Sequence, residues 1–543
     1  MSDVIQLAKS WAEHDPDSNT KNIILKLIQD NNVIELNKIF SGDLEFGTAG
    51  LRAEIGPGQS RMNRAVVIKA TYGLCQYLLK KYPNKKPKLI VGNDARNMSD
   101  QFALDVCQVA ASLGLEVYKL PTKLPTPVLA FGVRHIKADA GVMITASHNP
   151  PLDNGYKVYD EFGAGIIPPM DKEIAELIKL APFADEINKS DNFKQIDLSD
   201  EYVERISKIV SNKYGDLKVA YTPMHGVGQE IFDRCMKKVG FSKSFDVLEQ
   251  TQPDPDFPTV SFPNPEEKGA MDLLLNLAKS KNVDIAIAND PDADRCAIAV
   301  KEKGNWKVLT GDEIGYLITW WIFKKAELEN KKLSGKIAAS IVSSSLVPKM
   351  AKNNLLTGTT TLTGVKWMGH IDNLIFGYEE AIGYCVDPEY VRDKDGISTA
   401  LLLVELFSYL KSQNLEAKDI LTKIYEDYGV HVTKQVSFRF DSVEKAKEIT
   451  LKLTTNAPKE IDEFIIEKVE DMNKGIDNLP PSSGVRLTFN NGRIIIRPSG
   501  TEPKLKCYME VFTSAGDATS NLEKANIRIN KLAEKMQELL SKY

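Results

Sequence analysis

Apolar residues along the 543-residue chain fall into two recurring patterns, short unbroken runs and longer stretches at helical spacing. Unbroken runs read as strands buried on both faces, and three-and-four spacing reads as amphipathic helix. Residues 1–40 carry Trp11, Ile24, Leu25, Leu27, Ile28 and Leu36 at the second spacing, which predicts helices with one buried face. A regular series follows: helix 66–82, strand 88–92, helix 99–113, strand 115–120, helix 128–136 and the wholly apolar strand 140–144. This alternation predicts a doubly wound α/β domain with its loops gathered at one edge. Asp153-Asn154-Gly155-Tyr156-Lys157 then reads as a turn that brings Lys157 back towards Ser147, and 165–215 as a charged helical passage.

A second series comprises strand 217–221, a helix to 239, a proline-rich loop 252–265, a helix to 281 and strand 283–288. The third has helix 312–325, strand 336–342, a helix after Ser345, a short helix entered through 361–367, strand 374–377 and the long helix 397–412. From about 430 the character changes to strand 432–440, helix 443–455, short strands 485–490 and 493–497, and a terminal helix from about 517. Four domains are expected on this reading: 1–200, 201–310, 311–430 and 431–543, the first three α/β and the last a smaller α+β domain.

Composition narrows the function classes without selecting one. Hydrophobic and charged contents of 43% and 26% are those of a globular chain. A net charge of −5 offers no basic patch for nucleic acid. The six cysteines are far apart, without a CxxC pair, which fits a reducing compartment better than a zinc site or disulfide framework. The N-terminal stretch has no signal-peptide core and no run of eighteen apolar residues occurs, so a cytoplasmic protein without a membrane span is expected.

Candidate chemistry gathers at predicted strand ends, where α/β proteins bind ligands. After strand 140–144, Asn149-Pro150-Pro151 can neither extend the strand nor open a helix, so the chain turns just past Ser147. That turn presents a hydroxyl as a candidate nucleophile or phosphate carrier, with His148 beside it. A serine capping its own polar turn is the competing reading of this stretch alone. Strand 283–288 runs into Asp290-Pro291-Asp292-Ala293-Asp294-Arg295, whose three alternate carboxylates can converge on one hard cation, Mg²⁺ or Ca²⁺. An EF-hand would need Gly and Glu where Arg295 and Lys301 stand, so a compact Mg²⁺ loop is preferred. Two further stretches suit anions: Gly47-Thr48-Ala49-Gly50-Leu51-Arg52, and Arg497-Pro498-Ser499-Gly500-Thr501-Glu502-Pro503-Lys504 between the last strands and the terminal helix.

FGTAGLR (46–52), TASHNP (145–150), DPDADR (290–295), GYEEAIGY (377–384), DKDG (393–396) and RPSGTEPK (497–504), in this order, resemble the motifs of the α-D-phosphohexomutases, in particular the phosphoglucomutase and phosphopentomutase branch. The resemblance implies three topologically related α/β domains with mixed sheets and a smaller C-terminal α+β domain around a central cleft. It implies a Mg²⁺-dependent mutase interconverting glucose 1-phosphate and glucose 6-phosphate through a phosphoserine and a sugar 1,6-bisphosphate, with ribose or mannose phosphates as alternative substrates. Ser147 would carry the phosphoryl group, and Asp290, Asp292 and Asp294 would hold Mg²⁺ with an oxygen at Ser147. Arg52, His148 and Arg295 would border the phosphate, and Lys157 would act as acid or base. Thr363, Glu379 and Lys394 would contact the sugar or its bisphosphate, while Arg497, Ser499, Gly500, Thr501 and Lys504 would grip the phosphate that is not reacting. One departure stands out: Ala381 replaces a serine of many phosphoglucomutases and leaves the choice of sugar open. Other readings are a phosphatase using the same serine, and a sugar-phosphate sensor without catalysis. Sugar phosphates are the expected partners of a monomer or homodimer, and the terminal domain is expected to close on substrate.

Overall fold

A computed structural model describes residues 3–498 and 504–543. It divides into two units: one runs to Leu309 and takes in Val365–Ile371 and Gly383–Ser412, and the other comprises Thr310–Gly364, Asp372–Ile382 and the chain from Gln413.

The first unit begins with three helices, Asp3–Glu13, Ser18–Gln29 and Val33–Ile39, the last two started by the side-chain caps Asp17 and Asn32. Ala8, Ala12, Ile24, Leu36, Ile39 and Phe40 make their core, with Trp11 packed against it. Leu25, expected on the buried face, is 45% exposed because it follows Ile24 by one residue and so points away from it.

Two sheets follow in this unit. The six-stranded sheet has the order Leu51–Glu54, Asp153–Tyr159, Ala140–Ile144, Lys88–Asn93, Glu116–Lys119, Lys194–Gln195. At its centre Ala140–Ile144 and Lys88–Asn93 run parallel, buried under the helices Arg64–Lys81, Ser99–Ser112, Thr126–His135 and Met170–Lys179. The expected turn at 153–157 is instead the start of strand Asp153–Tyr159, antiparallel to Ala140–Ile144 with Lys157 opposite Met143. The chain turns earlier, at 145–152, so Lys157 stands on the strand next to the serine strand. The charged passage 165–215 holds the α-helices Met170–Lys179 and Ser199–Ile206, with the edge strand Lys194–Gln195 between them and a 3-10 turn, Ser207–Ile209, after them.

The second sheet has the order Asn305–Val308, Cys296–Glu302, Ile285–Asn289, Val219–Thr222, Phe245–Asp246. Its antiparallel hairpin of Cys296–Glu302 and Asn305–Val308 is not among the expected elements, although Lys303 and Gly304, both at positive φ, are the two-residue turn that such a hairpin demands.

The second unit contains the parallel strands Lys336–Ser340, Thr357–Thr361 and Leu374–Glu379. It also contains an antiparallel sheet of six strands, ordered His431–Arg439, Lys504–Phe512, Gly492–Pro498, Val485–Phe489, Phe464–Asp471, Glu460–Ile461. Three of these strands, Lys504–Phe512, Phe464–Asp471 and Glu460–Ile461, are absent from the sequence reading. As a consequence the 497–504 stretch does not lead into the terminal helix Ala518–Leu540 but joins two antiparallel neighbours, with Pro498 opposite Leu505. Mixed sheets in an α/β frame and an antiparallel C-terminal sheet are the architecture that the resemblance implies. No helix among the described residues is long and apolar enough to cross a membrane, and all six thiols are buried and unpaired.

Candidate active site

Ser147 sits just beyond a buried strand in the left-handed region, with φ +53°, a conformation that costs a side-chain-bearing residue about 1 kcal/mol or more. The surrounding structure supplies the restraint. Thr145 Oγ1 accepts from the Ser147 backbone N–H at 2.8 Å. Arg96, 4% exposed, donates to the carbonyls of Ser147 and Asn149 at 2.6 Å each, Pro150 at 2.7 Å and Asp153 at 3.1 Å. One planar guanidinium therefore pins the whole turn, a task its fork of donors suits. Arg96 is set in turn by Asp94, whose Oδ1 accepts from the Arg96 backbone at 3.0 Å, and by the Phe257 ring 5.0 Å from the guanidinium carbon. A Cβ on Gly155 would lie 2.6 Å from the Thr145 carbonyl oxygen, so only glycine lets the neighbouring strand approach this turn.

The carboxylates come from the end of strand Ile285–Asn289. Asp290, Asp292 and Asp294 are buried, and one oxygen from each lies within 4.8 Å of the others. Ala293, at φ +54°, bends the loop so that alternate side chains converge. Ser147 Oγ donates to Asp290 Oδ2 at 2.8 Å, bringing the two expected motifs together. Lys157 Nζ donates to Asp292 at 2.7 Å and Asp294 at 3.0 Å, and Thr126 Oγ1 to Asp292 at 2.6 Å. Lys394 Nζ is 3.4 Å from Asp294, and His148 Nδ1 is 3.2 Å from Ser147 Oγ. Arg295 donates its backbone N–H to Asp290 at 2.9 Å, and Arg52 reaches Asn149 Oδ1 at 3.0 Å.

Burial shapes the charges of this cluster. It pushes Asp290 well above the usual carboxylate range, and the neighbouring Asp292 and Asp294 charges push the same way. Burial also raises Asp292 and Asp294, but the lysine charges outweigh it and both end below their ordinary value. Burial and then Arg295 and Arg52 hold His148 well below its ordinary value, so the imidazole is neutral at pH 7. Lys157 loses from burial but gains more from Asp292 and Asp294, and stays an ammonium. Asp292 Oδ1 and Asp294 Oδ1 are buried without a hydrogen-bond partner among the described residues. Two orphaned anionic oxygens beside a third carboxylate form a hard-donor set that fits Mg²⁺.

The other expected residues lie in the second unit. Glu379 is buried at the end of strand Leu374–Glu379. Arg497 donates to Thr363 Oγ1 from strand Gly492–Pro498, and Lys504 opens the next strand opposite Arg439. Ser499, Gly500 and Thr501 lie outside the described residues. Three side chains at these sites have no role in the sequence reading. Arg96 is visible there at a strand tip, in Asn93-Asp94-Ala95-Arg96, but nothing local marks a guanidinium for carbonyls more than fifty residues on. Thr126, opening a helix after Pro125, carries no signal, and Glu380 stands beside Glu379 undistinguished.

A serine hydroxyl over buried aspartates, on α/β sheets followed by an antiparallel domain, defines a phosphotransfer enzyme. Models of the phosphoglucomutase/phosphomannomutase family match four successive regions: alpha/beta/alpha domain I over residues 43–185, domain II over 200–304, domain III over 310–428 and the C-terminal domain over 448–521. The chain belongs to this family and is a mutase. It is 42% identical over 460 residues to a probable phosphomannomutase of Haemophilus influenzae, covering 83% of this chain and 93% of that one. It is 37% identical over 584 residues to the phosphopentomutase of Homo sapiens, covering 98% and 95%, and 36% identical over 592 residues to the phosphoribomutase of Saccharomyces cerevisiae, covering 96% and 95%. Among solved structures, a putative phosphomannomutase from Thermus thermophilus shares the fold at a TM-score of 0.71 and 22% identity, over 92% of this chain and 99% of that one.

Proposed function

We propose that the enzyme is a Mg²⁺-dependent phosphosugar mutase that works through a phosphorylated Ser147 and interconverts pentose 1- and 5-phosphates, with glucose 1-phosphate as a second substrate. The observation that carries the mutase chemistry is the 2.8 Å contact of Ser147 Oγ with the buried aspartate trio. Pentoses are favoured because relatives named phosphopentomutase and phosphoribomutase align over 93–98% of this chain, and because Ala381 leaves the sugar loop one hydroxyl short of the glucose-type pattern. Glucose 1-phosphate is kept by a 36%-identical human relative named glucose 1,6-bisphosphate synthase.

Asp290, Asp292 and Asp294 would hold Mg²⁺, which when bound offsets the charge of the transferring phosphoryl group. Arg96 fixes the turn, so that Ser147 Oγ points at the same place in every step. The free primary hydroxyl of the sugar 1-phosphate attacks the phosphoserine: its new O–P bond forms as the bond to Ser147 Oγ breaks. The hydroxyl proton passes to Lys157, which acts as base only after it has left Asp292 and Asp294, lost their support and released its ammonium proton to solvent. The resulting bisphosphate turns over, and Ser147 Oγ, losing its proton, takes back the phosphoryl group as the bond to the anomeric oxygen breaks and that oxygen receives a proton from Lys157, leaving the 5- or 6-phosphate. Arg52, Arg295 and the neutral His148 border the phosphoryl group, Glu379 and Lys394 serve the sugar, and Thr363, Arg497 and Lys504, with Ser499, Gly500 and Thr501, serve the second phosphate.

Initial rates for ribose, glucose and mannose 1-phosphates, each with trace sugar bisphosphate and Mg²⁺, test the reading. Ribose 1-phosphate is expected to give the highest kcat/KM. A glucose rate well above the ribose rate would replace the substrate assignment. Phosphate release matching isomer formation would replace the mutase with a phosphatase.

A further inference from the structure

The loop after strand Lys336–Ser340 is held by polar groups from two directions within the second unit. From the C-terminal sheet, Arg493 donates through Nη2 to the Ser343 carbonyl at 2.6 Å and through Nε to Glu510 at 2.7 Å. Glu510, 2% exposed, accepts from the Ser345 backbone N–H at 2.7 Å and from the hydroxyls of Ser344 and Ser345 at 3.0 and 2.9 Å, with His431 Nδ1 2.9 Å away. Burial alone would raise the Glu510 carboxyl, but Arg493, His431 and the Ser345 amide hold it below the usual range, so Glu510 is a carboxylate paired with the Arg493 guanidinium. Ile495 and Tyr508 of the same sheet pack against Ile341 and Val342.

From the other direction, Ser343 Oγ donates to Glu380 Oε2 at 2.7 Å and accepts from the Glu380 backbone N–H at 2.9 Å. The Ser340 hydroxyl lies 2.7 Å from Ser343 Oγ and 3.1 Å from Glu380 Oε2. Ser343 thus has its carbonyl fixed by the C-terminal sheet and its hydroxyl fixing the residue after Glu379. A buried network of this kind has few alternative arrangements, because any displacement strands a charged group away from water.

We infer that Ser343 is a positioning residue through which the C-terminal sheet, by way of Arg493 and Glu510, sets the conformation of residues 377–382, the end of strand Leu374–Glu379 and the turn after it. The sheet carrying Arg497 and the segment carrying Glu379 then behave as one recognition element. The names of their ligands rest on the mutase reading; the mechanical link does not.

Hydrogen exchange of residues 377–382 in the full-length protein separates the two. Ser343→Ala removes the hydroxyl and keeps the carbonyl, while Arg493→Lys keeps a cation but loses the two-pronged contact. Each is expected to speed exchange at 377–382 by about 5-fold, the loss of roughly one buried hydrogen bond, with no further gain in the double variant. In Ser343→Ala, KM for glucose and ribose 1-phosphates should rise by a similar factor, with kcat and the inhibition constant of inorganic phosphate unchanged. Unaltered exchange in either single variant overturns the inference, as does a parallel rise in KM and the phosphate constant, which marks general loosening. A wild-type enzyme inactive on every sugar phosphate would remove the mutase reading, and the exchange result would still decide the link.

Discussion

On the proposed mechanism Ser147 and Arg96 divide the work of one turn: the hydroxyl would do the chemistry, while the guanidinium pins the backbone that carries it. Ser147→Ala leaves every backbone contact of Arg96 in place, since all four are to carbonyls. Turnover should fall by at least about 1,000-fold, while sugar-phosphate binding, read by calorimetry, stays near wild type. Retained turnover would remove Ser147 from the reaction. Arg96→Lys should do the reverse. A lysine cannot span four carbonyls, so the left-handed conformation at residue 147 loses its restraint while the nucleophile remains. A displacement of about 1 Å at a reacting atom costs roughly 100-fold, and kcat/KM should fall by about that factor together with a lowered thermal midpoint. An unchanged midpoint with normal kinetics would show that Asp94, Thr145 and Gly155 hold the turn unaided.

At the scale of elements, burial decides between opposing effects on helix Gly396–Ser412. Asp395 precedes it and accepts from the backbone N–H groups of Ile397 and Ser398 at 3.1 and 2.9 Å, contacts that favour a carboxylate. Burial wins even so: with the residue 1% exposed, it lifts the carboxyl from 3.8 to about 6 despite those contacts and the Tyr202 hydroxyl. The folded chain therefore holds this proton where the unfolded chain has lost it. Its contribution to stability is greatest below about pH 4 and is lost as pH rises through about 6, a fall of roughly 3 kcal/mol. Asp395→Asn should match wild type at pH 4 and exceed it at pH 8 in thermal midpoint; a variant that is less stable at both would show that the cap outweighs burial.

Two of the elements legible in the sequence, this helix and the serine strand, have their burial written in consecutive residues. Strand Ala140–Ile144 has no polar position, and helix Gly396–Ser412 is buried from Gly396 to Leu410. Strand Lys504–Phe512 is not legible because Lys504, Lys506 and Glu510 interrupt its apolar residues, and Glu510 is buried all the same, its charge met by Arg493. The same limit applies to the site. Ser147 and the aspartates announce themselves through local chemistry, whereas Arg96, Thr126 and Glu380 acquire meaning only from partners distant in the chain.

At the scale of the molecule, the chain passes repeatedly from one unit to the other, and Lys394 belongs with the serine and the aspartates although it follows Glu379 by only fifteen residues. Truncation that removes residues 497–504 also removes Arg493 or Glu510 and with them the contacts to Ser343 and Ser345, so the proposed role of this stretch is better tested by a point substitution. Arg497→Ala leaves Ser147, the aspartates and Lys157 untouched. A mutase must keep its bisphosphate through a change of orientation, while a phosphatase needs only one productive encounter with water. Losing a charge-assisted contact worth about 1.5–3 kcal/mol should raise KM by roughly 10- to 100-fold and let the bisphosphate escape before it is turned. The expected signature is a higher yield of inorganic phosphate per isomer formed, with free bisphosphate accumulating, measured in parallel by phosphate release and a coupled assay for the isomer. Equal KM and an unchanged ratio would mean that the second phosphate is held elsewhere, and the reading of residues 497–504 would fall with it.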